Sequence, residues 1–433
     1  MAASTRPPRA ARFQRIPPPP DTRPELEVLH ELEGGHDASG LALWEALRDT
    51  TLWARAAEES RGGLFHPRPS GAREHAAEAV AAGIPELSEA WARLDAVSRA
   101  PAAVDRDALA EACGAVYAWA EERALMQTAA HFAEAAALVK PDAAHLANLA
   151  ARTCRRAGLP GRAGPWYQRG RALAIRAHSF PDRFSATVGY GWLMYSLGRY
   201  DRARRIISST VRQAVNRGYK RMAGEAEHNL LAICSEMKLF SLGEGHARRA
   251  LYHYPTHHPL VPFLVHDVAY LLVVCAIYTP ALSILQQAIN AMPRPQDPVL
   301  AWATAARAAA GAGQREMYAH ARDTAIDLAN RYPELAPSAL RGVAYAAQLA
   351  EDWELAEDTA QIAARLARER RMADVERTAL VLLEEVKLRQ PGVSEVAPPA
   401  NSHVEEISRA CKLKIRLWQG PKRGRPPGQT PPA

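Results

Sequence analysis

The sequence predicts an all-α fold, an α-solenoid of stacked antiparallel helix hairpins, and three observations predict it. Ala-, Leu- and Arg-rich segments with apolar residues at helical spacing fill most of the 433 residues, with almost no alternating β-branched runs. A pattern of small and aromatic residues returns at intervals of 34, 40, 40 and 38 residues. Stretches too rich in Pro and polar residues to pack a core are confined to 1–24, 391–401 and 419–433.

Residues 1–24, with RPPRAARFQRIPPPPDTRP at their centre, read as a disordered or polyproline-like arm. Residues 25–106 carry the helical segments TRPELEVLHELEGG and ASGLALWEALRDTTLWARAAEES, starting at Thr22 and Ala38. Turn signals at Gly34–Gly35, Gly62–Gly63 and Pro67–Gly71 divide this region, which is expected to cap the array. The array itself spans 107–390. A linker at 391–401 follows it, then a terminal helix or basic segment at 402–418 and a disordered basic tail at 419–433.

The repeat is carried by named residues. An aromatic residue precedes a small one by three places at Tyr200/Ala203, Phe240/Gly243, Tyr278/Ala281 and Trp353/Ala356. An apolar or small residue follows at plus four, and Pro255 and Pro293 close two of the units. The same skeleton without the aromatic appears as Ala129, Ala133, Ala136, Pro141, and as Ala163, Tyr167, Gly170; a weaker copy lies near Met317. Small residues let two helices approach closely, and a single pair cannot bury its apolar face, so the pairs must stack. An irregular helical bundle is the plainer alternative.

The skeleton A-x3-Φ-x2-A-x4-P resembles that of the tetratricopeptide repeat family, over about seven units of 34–40 residues. The longer intervals exceed the family's 34 residues by about one helical turn. The resemblance implies a concave face lined by the first helix of each unit, where such arrays bind peptides. On that frame, residues eleven before each small marker face the groove: Arg152, Trp192, Ala232, Tyr270 and Tyr345. One turn earlier stand Asn148, Val188, His228, His266 and Arg341, with Asn229 beside His228. Aromatic platforms with cationic and amide donors suit an extended peptide. Trp192 and Tyr270 serve equally as packing between repeats, and Arg152, Arg155 and Arg156 as a solvated face.

Chemistry is sparse. His30, Glu31 and His36 do not form a zinc-protease helix, because i, i+6 across Gly34–Gly35 points the imidazoles apart. No phosphate loop, dinucleotide fingerprint or nucleophile elbow occurs. His253, His257, His258 and His266 cluster in sequence, but Pro255 breaks the helix that would align them, and Asp267 is expected to start the next helix. Surface histidines on a loop between repeats are expected there, without a metal. The uncharged stretch from Val268 to Leu285 has the length of a membrane span, but Pro280 and the repeat frame argue for two helices instead. No cofactor, catalytic residue or metal site is expected.

Charge is uneven. Eleven of the 54 basic residues lie in 1–20 and 409–433, which hold no acid; 21–408 therefore sets 43 bases against 47 acids, a net of −4. Attraction to polyanions belongs to the ends. Lys422 and the core Arg423-Gly424-Arg425-Pro426 resemble the AT-hook, which places two arginines in the minor groove of A·T-rich DNA. Upstream, CKLKIRLWQG alternates Lys412, Lys414 and Arg416 with apolar residues, as a short strand, a fraying helix or a segment docked on the array. Five dispersed cysteines without a C-x-x-C pair point to a reducing, cytoplasmic setting, and the Ala/Arg-rich composition to a bacterial source. The expected function is a non-catalytic protein- or peptide-binding scaffold or regulatory adaptor. A nucleic-acid-associated regulator tethered by its basic tail is the alternative, and an enzyme with an unrecognised site the third.

Overall fold

A computed structural model describes residues 15–21, 26–66, 70–370, 372–390 and 401–418. Among these residues the chain is all-α: nineteen α-helices, two short 3-10 helices and no strand. The chain divides into two compact units, Met1–Leu193 and Met194–Ala433.

Unit 1 begins with α1 (Leu26–Arg55), α2 (Ser70–Gly83) and α3 (Ser88–Arg99). They pack on one another and cover the first hairpin, formed by α4 (Arg106–Glu122) and α5 (Met126–Val139). The Glu31 carboxylate accepts the backbone N–H groups of Gln127 (3.2 Å) and Thr128 (2.6 Å) at the start of α5. A carboxylate at a helix N-terminus answers both the orphan donors and the positive end of the dipole. The next helices are α6 (Ala144–Arg156), α7 (Pro160–Arg176) and α8 (Phe180–Ser196), whose last three residues belong to unit 2.

Residues 15–21 fall within the stretch expected to be a disordered arm, yet the structure lays them on unit 1. The carbonyl of Pro17 accepts from Arg169 Nη1 at 2.6 Å, and that of Pro20 from Arg55 Nη2 at 2.9 Å. An extended Pro-rich backbone has no internal hydrogen bonds, so its carbonyls are open to arginine donors.

Unit 2 holds α9 (Tyr200–Asn216), then the hairpins α10 (Lys220–Glu236) with α11 (Phe240–His253) and α12 (Val261–Val274) with α13 (Tyr278–Ala291). The hairpins α14 (Val299–Gly311) with α15 (Arg315–Arg331) and α16 (Ala336–Leu349) with α17 (Trp353–Glu369) follow, then α18 (Ala373–Lys387). First helices of successive hairpins touch one another, α10 to α12 to α14 to α16 to α18, and make the inner row. The span from Val268 to Leu285 is broken by the turn at Cys275–Ile277, and no described helix is long and apolar enough to cross a membrane.

One turn recurs along the array. A left-handed residue stands at Ala124, Gly158, Gly198, Lys238, Ala276, Gly313, Glu351 and Arg389. At Lys238 the flanking bonds are Lys238 N–H to Ser235 O (3.0 Å) and Leu239 N–H to Cys234 O (2.9 Å). This pair of bonds ends the first helix and reverses the chain within a few residues. The small markers fall on the second helices and are buried: Ala203, Gly243 and Ala281 all face protein. A Cβ at Gly243 would lie 2.8 Å from Leu271 Cδ2 and 3.4 Å from Cys234 Cβ. The residue therefore sets the approach to its own hairpin partner and, more tightly, to the next hairpin.

At the end of the row α18 changes character. The column Ala226, Leu264, Ala301, Ala339 is buried, and its next member, Arg377, is exposed. The column Ile233, Leu271, Ala308, Ala346 is buried, and Glu384, its next member, is exposed. The same face also exposes Val381 and Leu388, so α18 breaks the apolar columns with two charges without being polar throughout.

The final helix, α19 (Asn401–Leu417), docks on α11, α12 and α13. Val404, Ile407, Cys411 and Ile415 form its buried stripe. Lys414 Nζ donates to the carbonyls of Leu251 (2.8 Å) and Tyr254 (2.5 Å) at the C-terminal end of α11, and Trp418 Nε1 to His258 O (3.1 Å). Of the three readings of this basic segment, the strand is excluded and the docked helix is found. Its spacing of four between Ile407, Cys411 and Ile415 suits one helical face, whereas lysine–leucine alternation is coincidental with it.

Two buried histidines make stability depend on pH. Burial, with the Arg162 guanidinium beside it, pushes the His131 pKa down to about 3, and burial with Arg221, His228, His257 and Lys414 nearby pushes His258 to about 4. Both imidazoles are therefore neutral when folded and protonated near pH 6.5 when unfolded. Their contribution is fully present above about pH 6.5 and is lost as pH falls toward the folded values. The urea midpoint should drop between pH 6.5 and 5, and His131→Gln should flatten that drop; an unchanged slope in the variant would refute the assignment.

Candidate binding cleft

A cleft of about 390 Å³ opens on the inner row of unit 2, lined among others by Glu236, Tyr270, Arg307, Arg341, Tyr345 and Arg377. Helical register explains the convergence. Tyr270 and Tyr345 stand eleven residues before the buried Ala281 and Ala356, so α12 and α16 turn them to the same side. Arg341 lies one turn before Tyr345. Three of the expected groove residues are thus brought together.

Hydrogen bonds fix the floor. Tyr270 Oη donates to Glu236 Oε1 at 3.0 Å, and Arg341 Nη2 lies 3.9 Å from the same oxygen. Arg341 Nη1 donates to Thr378 Oγ1 at 2.8 Å. Burial pushes the Tyr270 hydroxyl pKa up, with Glu236 adding to the effect. Burial also raises the Asp374 carboxyl above its usual range, with Arg341 opposing. At the rim, Arg377 Nη2 donates to Tyr200 Oη at 3.3 Å; the buried Gln348 donates from Nε2 to Glu385 Oε2 at 3.3 Å.

Arg307 was not foreseen. Its guanidinium lies 4.4 Å from the centre of the Tyr345 ring, a cation–π contact, and its Nε is buried without a hydrogen-bond partner. The signal existed in the sequence: counting eleven back from Tyr318 reaches Arg307. Tyr318, a bulky residue, takes the marker position in α15 where other units carry Ala or Gly, and so hides the register. Tyr278 reaches the cleft from α13 by lying on Gly311 of α14, where a Cβ would come within 2.5 Å of the ring. Only glycine admits that approach.

The expected histidines are placed differently. His228 Nε2 meets Asp267 Oδ2 at 2.9 Å, and His266 Nδ1 meets Asp267 Oδ1 at 2.8 Å. Their other ring nitrogens meet Tyr254 Oη (3.2 Å) and Thr304 Oγ1 (3.1 Å). The set ties α10, α12 and α14 together. Burial works against the charged Asp267, but the two imidazoles outweigh it and hold its pKa well below the carboxylate range. Asp267, expected to begin a helix, sits in the middle of α12 because the helix starts earlier, with Pro262 in its first turn. Asn229 is half-buried beside His228. The neighbouring loop is also corrected: His258 is buried and stacks on Tyr254 with ring centres 4.0 Å apart, while His257 is exposed. No group of three or more metal-ligating side chains occurs among the described residues.

In unit 1, Asn148 is buried and its Nδ2 donates to Asp182 O at 2.9 Å, joining α6 to α8. Arg152 is exposed and donates to Tyr117 Oη at 3.0 Å, and Trp192 is half-buried. Lys422, Arg423 and Arg425 lie outside the described residues. Models of known protein families give no match to this chain. A search of curated proteins gives no match either.

Proposed function

We propose that this protein is a non-catalytic, peptide-binding scaffold or regulatory adaptor of the tetratricopeptide-like kind, working through the unit 2 cleft. The observation that carries the reading is the convergence of Tyr270 from α12, Arg307 from α14, and Arg341 and Tyr345 from α16 onto one concave surface. Tyrosine rings offer large contact area at small entropic cost, and amide and guanidinium donors can engage an extended backbone. All five cysteines are buried and unpaired, which fits a reducing, cytoplasmic setting.

Panning a random dodecapeptide library on the full chain tests this, with Tyr270→Ala/Tyr345→Ala as the counter-screen. Enriched peptides should bind the parent protein and lose at least tenfold in affinity on the double variant, by fluorescence anisotropy. A circular-dichroism melt shows whether the variant keeps its fold. Equal binding to a folded double variant would remove the cleft from the reading.

A further inference from the structure

We infer that the unit 2 cleft receives an anionic side chain, carboxylate or phosphate, of a peptide segment, and that Arg307 is its receptor. The inference rests on the peptide-binding reading and adds the chemistry of the ligand. Its first support is the distribution of charge around the cleft. Glu236 and Asp374 are the acids beside Arg341, and Arg341 is further held by Thr378. Glu385 takes the amide of Gln348. Lys238, Arg307 and Arg377, by contrast, line the same cleft and make no ion pair among the described residues. Glu385 makes no ion pair among the described residues either, but three such cations against one carboxylate leave the lining net positive.

The second support is the state of Arg307 itself. One face of its guanidinium is held by the Tyr345 ring, which fixes the plane and leaves the in-plane N–H edge to be satisfied. Its Nε has neither solvent nor an acceptor. Nε is closed to an incoming group, so an oxyanion is met by the Nη edge, which makes no hydrogen bond among the described residues. The planar fork of a guanidinium matches carboxylate or phosphate oxygens in pairs, which a compact ammonium does not. Arg377 is paired only with the Tyr200 hydroxyl, and Lys238 sits in the exposed turn after α10. Both raise the local concentration of an acidic segment without fixing its geometry.

A volume of about 390 Å³ admits one side chain with its neighbouring backbone, and the rings of Tyr270, Tyr278 and Tyr345 leave room beside the anion for apolar groups. A segment with a single acidic or phosphorylated residue next to an apolar one fits this description. A polyanion does not, since Glu236 and Glu385 would face its further charges.

The test uses four pools of fluorescein-labelled hexapeptides with a fixed central Glu, phosphoserine, Gln or Lys, titrated against the full chain. The Glu or phosphoserine pool should bind at least tenfold tighter than the Gln pool, and the Lys pool more weakly than all others. Comparing the first two pools decides between carboxylate and phosphate. Arg307→Gln should erase the preference, bringing the Glu and phosphoserine pools to the affinity that the Gln pool shows on the same variant, and Arg307→Lys should restore only part of it. Lys238→Gln should lower it two- to threefold and make it less sensitive to salt. Equal binding of the Glu, phosphoserine and Gln pools would overturn the anion inference and leave peptide binding standing. A preference that survives in a folded Arg307→Gln protein would overturn the assignment to Arg307. Failure of every pool to bind would overturn both this inference and the function it rests on.

Discussion

Replacing Glu134 by Ala is expected to destabilise unit 1 by about 3–5 kcal/mol, the range for removing one partner of a buried ion pair. Glu134 is 1% exposed and answers three donors at once. Arg162 Nε and Nη2 both donate to its carboxylate, the first at 3.0 Å, and Trp166 Nε1 donates at 2.8 Å. Alanine would take from a nearly buried guanidinium the carboxylate that two of its nitrogens reach, beside a His131 ring that burial keeps neutral. It would also strand the indole N–H of a fully buried tryptophan. Glu134→Gln keeps the shape and an acceptor for Trp166, so it should cost less than Ala. Chemical denaturation followed by tryptophan fluorescence gives both values. A loss under 1 kcal/mol for the alanine variant would show that water enters and replaces the carboxylate.

Gly243→Leu is expected to cost about 1–3 kcal/mol through overpacking. The first carbon of the new side chain already falls 2.8 Å from Leu271 Cδ2, and the remaining three have nowhere to go between α11 and α12. Gly243→Ala places only that first carbon, which a rotamer change at Leu271 can accommodate, so it should cost distinctly less. The ordering of the two variants in a urea titration is the check. A leucine variant as stable as the parent would mean that the hairpins are free to separate there.

The array was legible in the sequence because stacking leaves a chemical signature at every repeat. Ala203, Gly243 and Ala281 are small because a second helix passes close by, and that requirement returns with each unit. Tyr270, Arg341 and Tyr345 followed from the same count. Arg307 did not, because Tyr318 stands where the count needs a small residue. His228 and His266 lie on first helices, α10 and α12, but neither lines the cleft, and register alone does not say that one carboxylate, Asp267, lies between them. Contacts made only once leave no periodic trace. The docking of α19 and the laying of residues 15–21 on unit 1 belong to that class, since each depends on single contacts with no second copy to reveal the rule.

The docked α19 also bears on the order in which unit 2 can be completed. Lys414 reaches Leu251 and Tyr254 across roughly 160 residues of chain, and the stripe from Val404 to Ile415 closes over α11–α13. Neighbouring hairpins need only local contacts and can assemble as they leave the ribosome, but a pairing at this separation carries a loop-closure cost that slows it. A nascent chain therefore holds an apolar strip on α11–α13 open through the synthesis of five further helices. An apolar strip left open in this way is the kind of surface through which incompletely assembled chains aggregate.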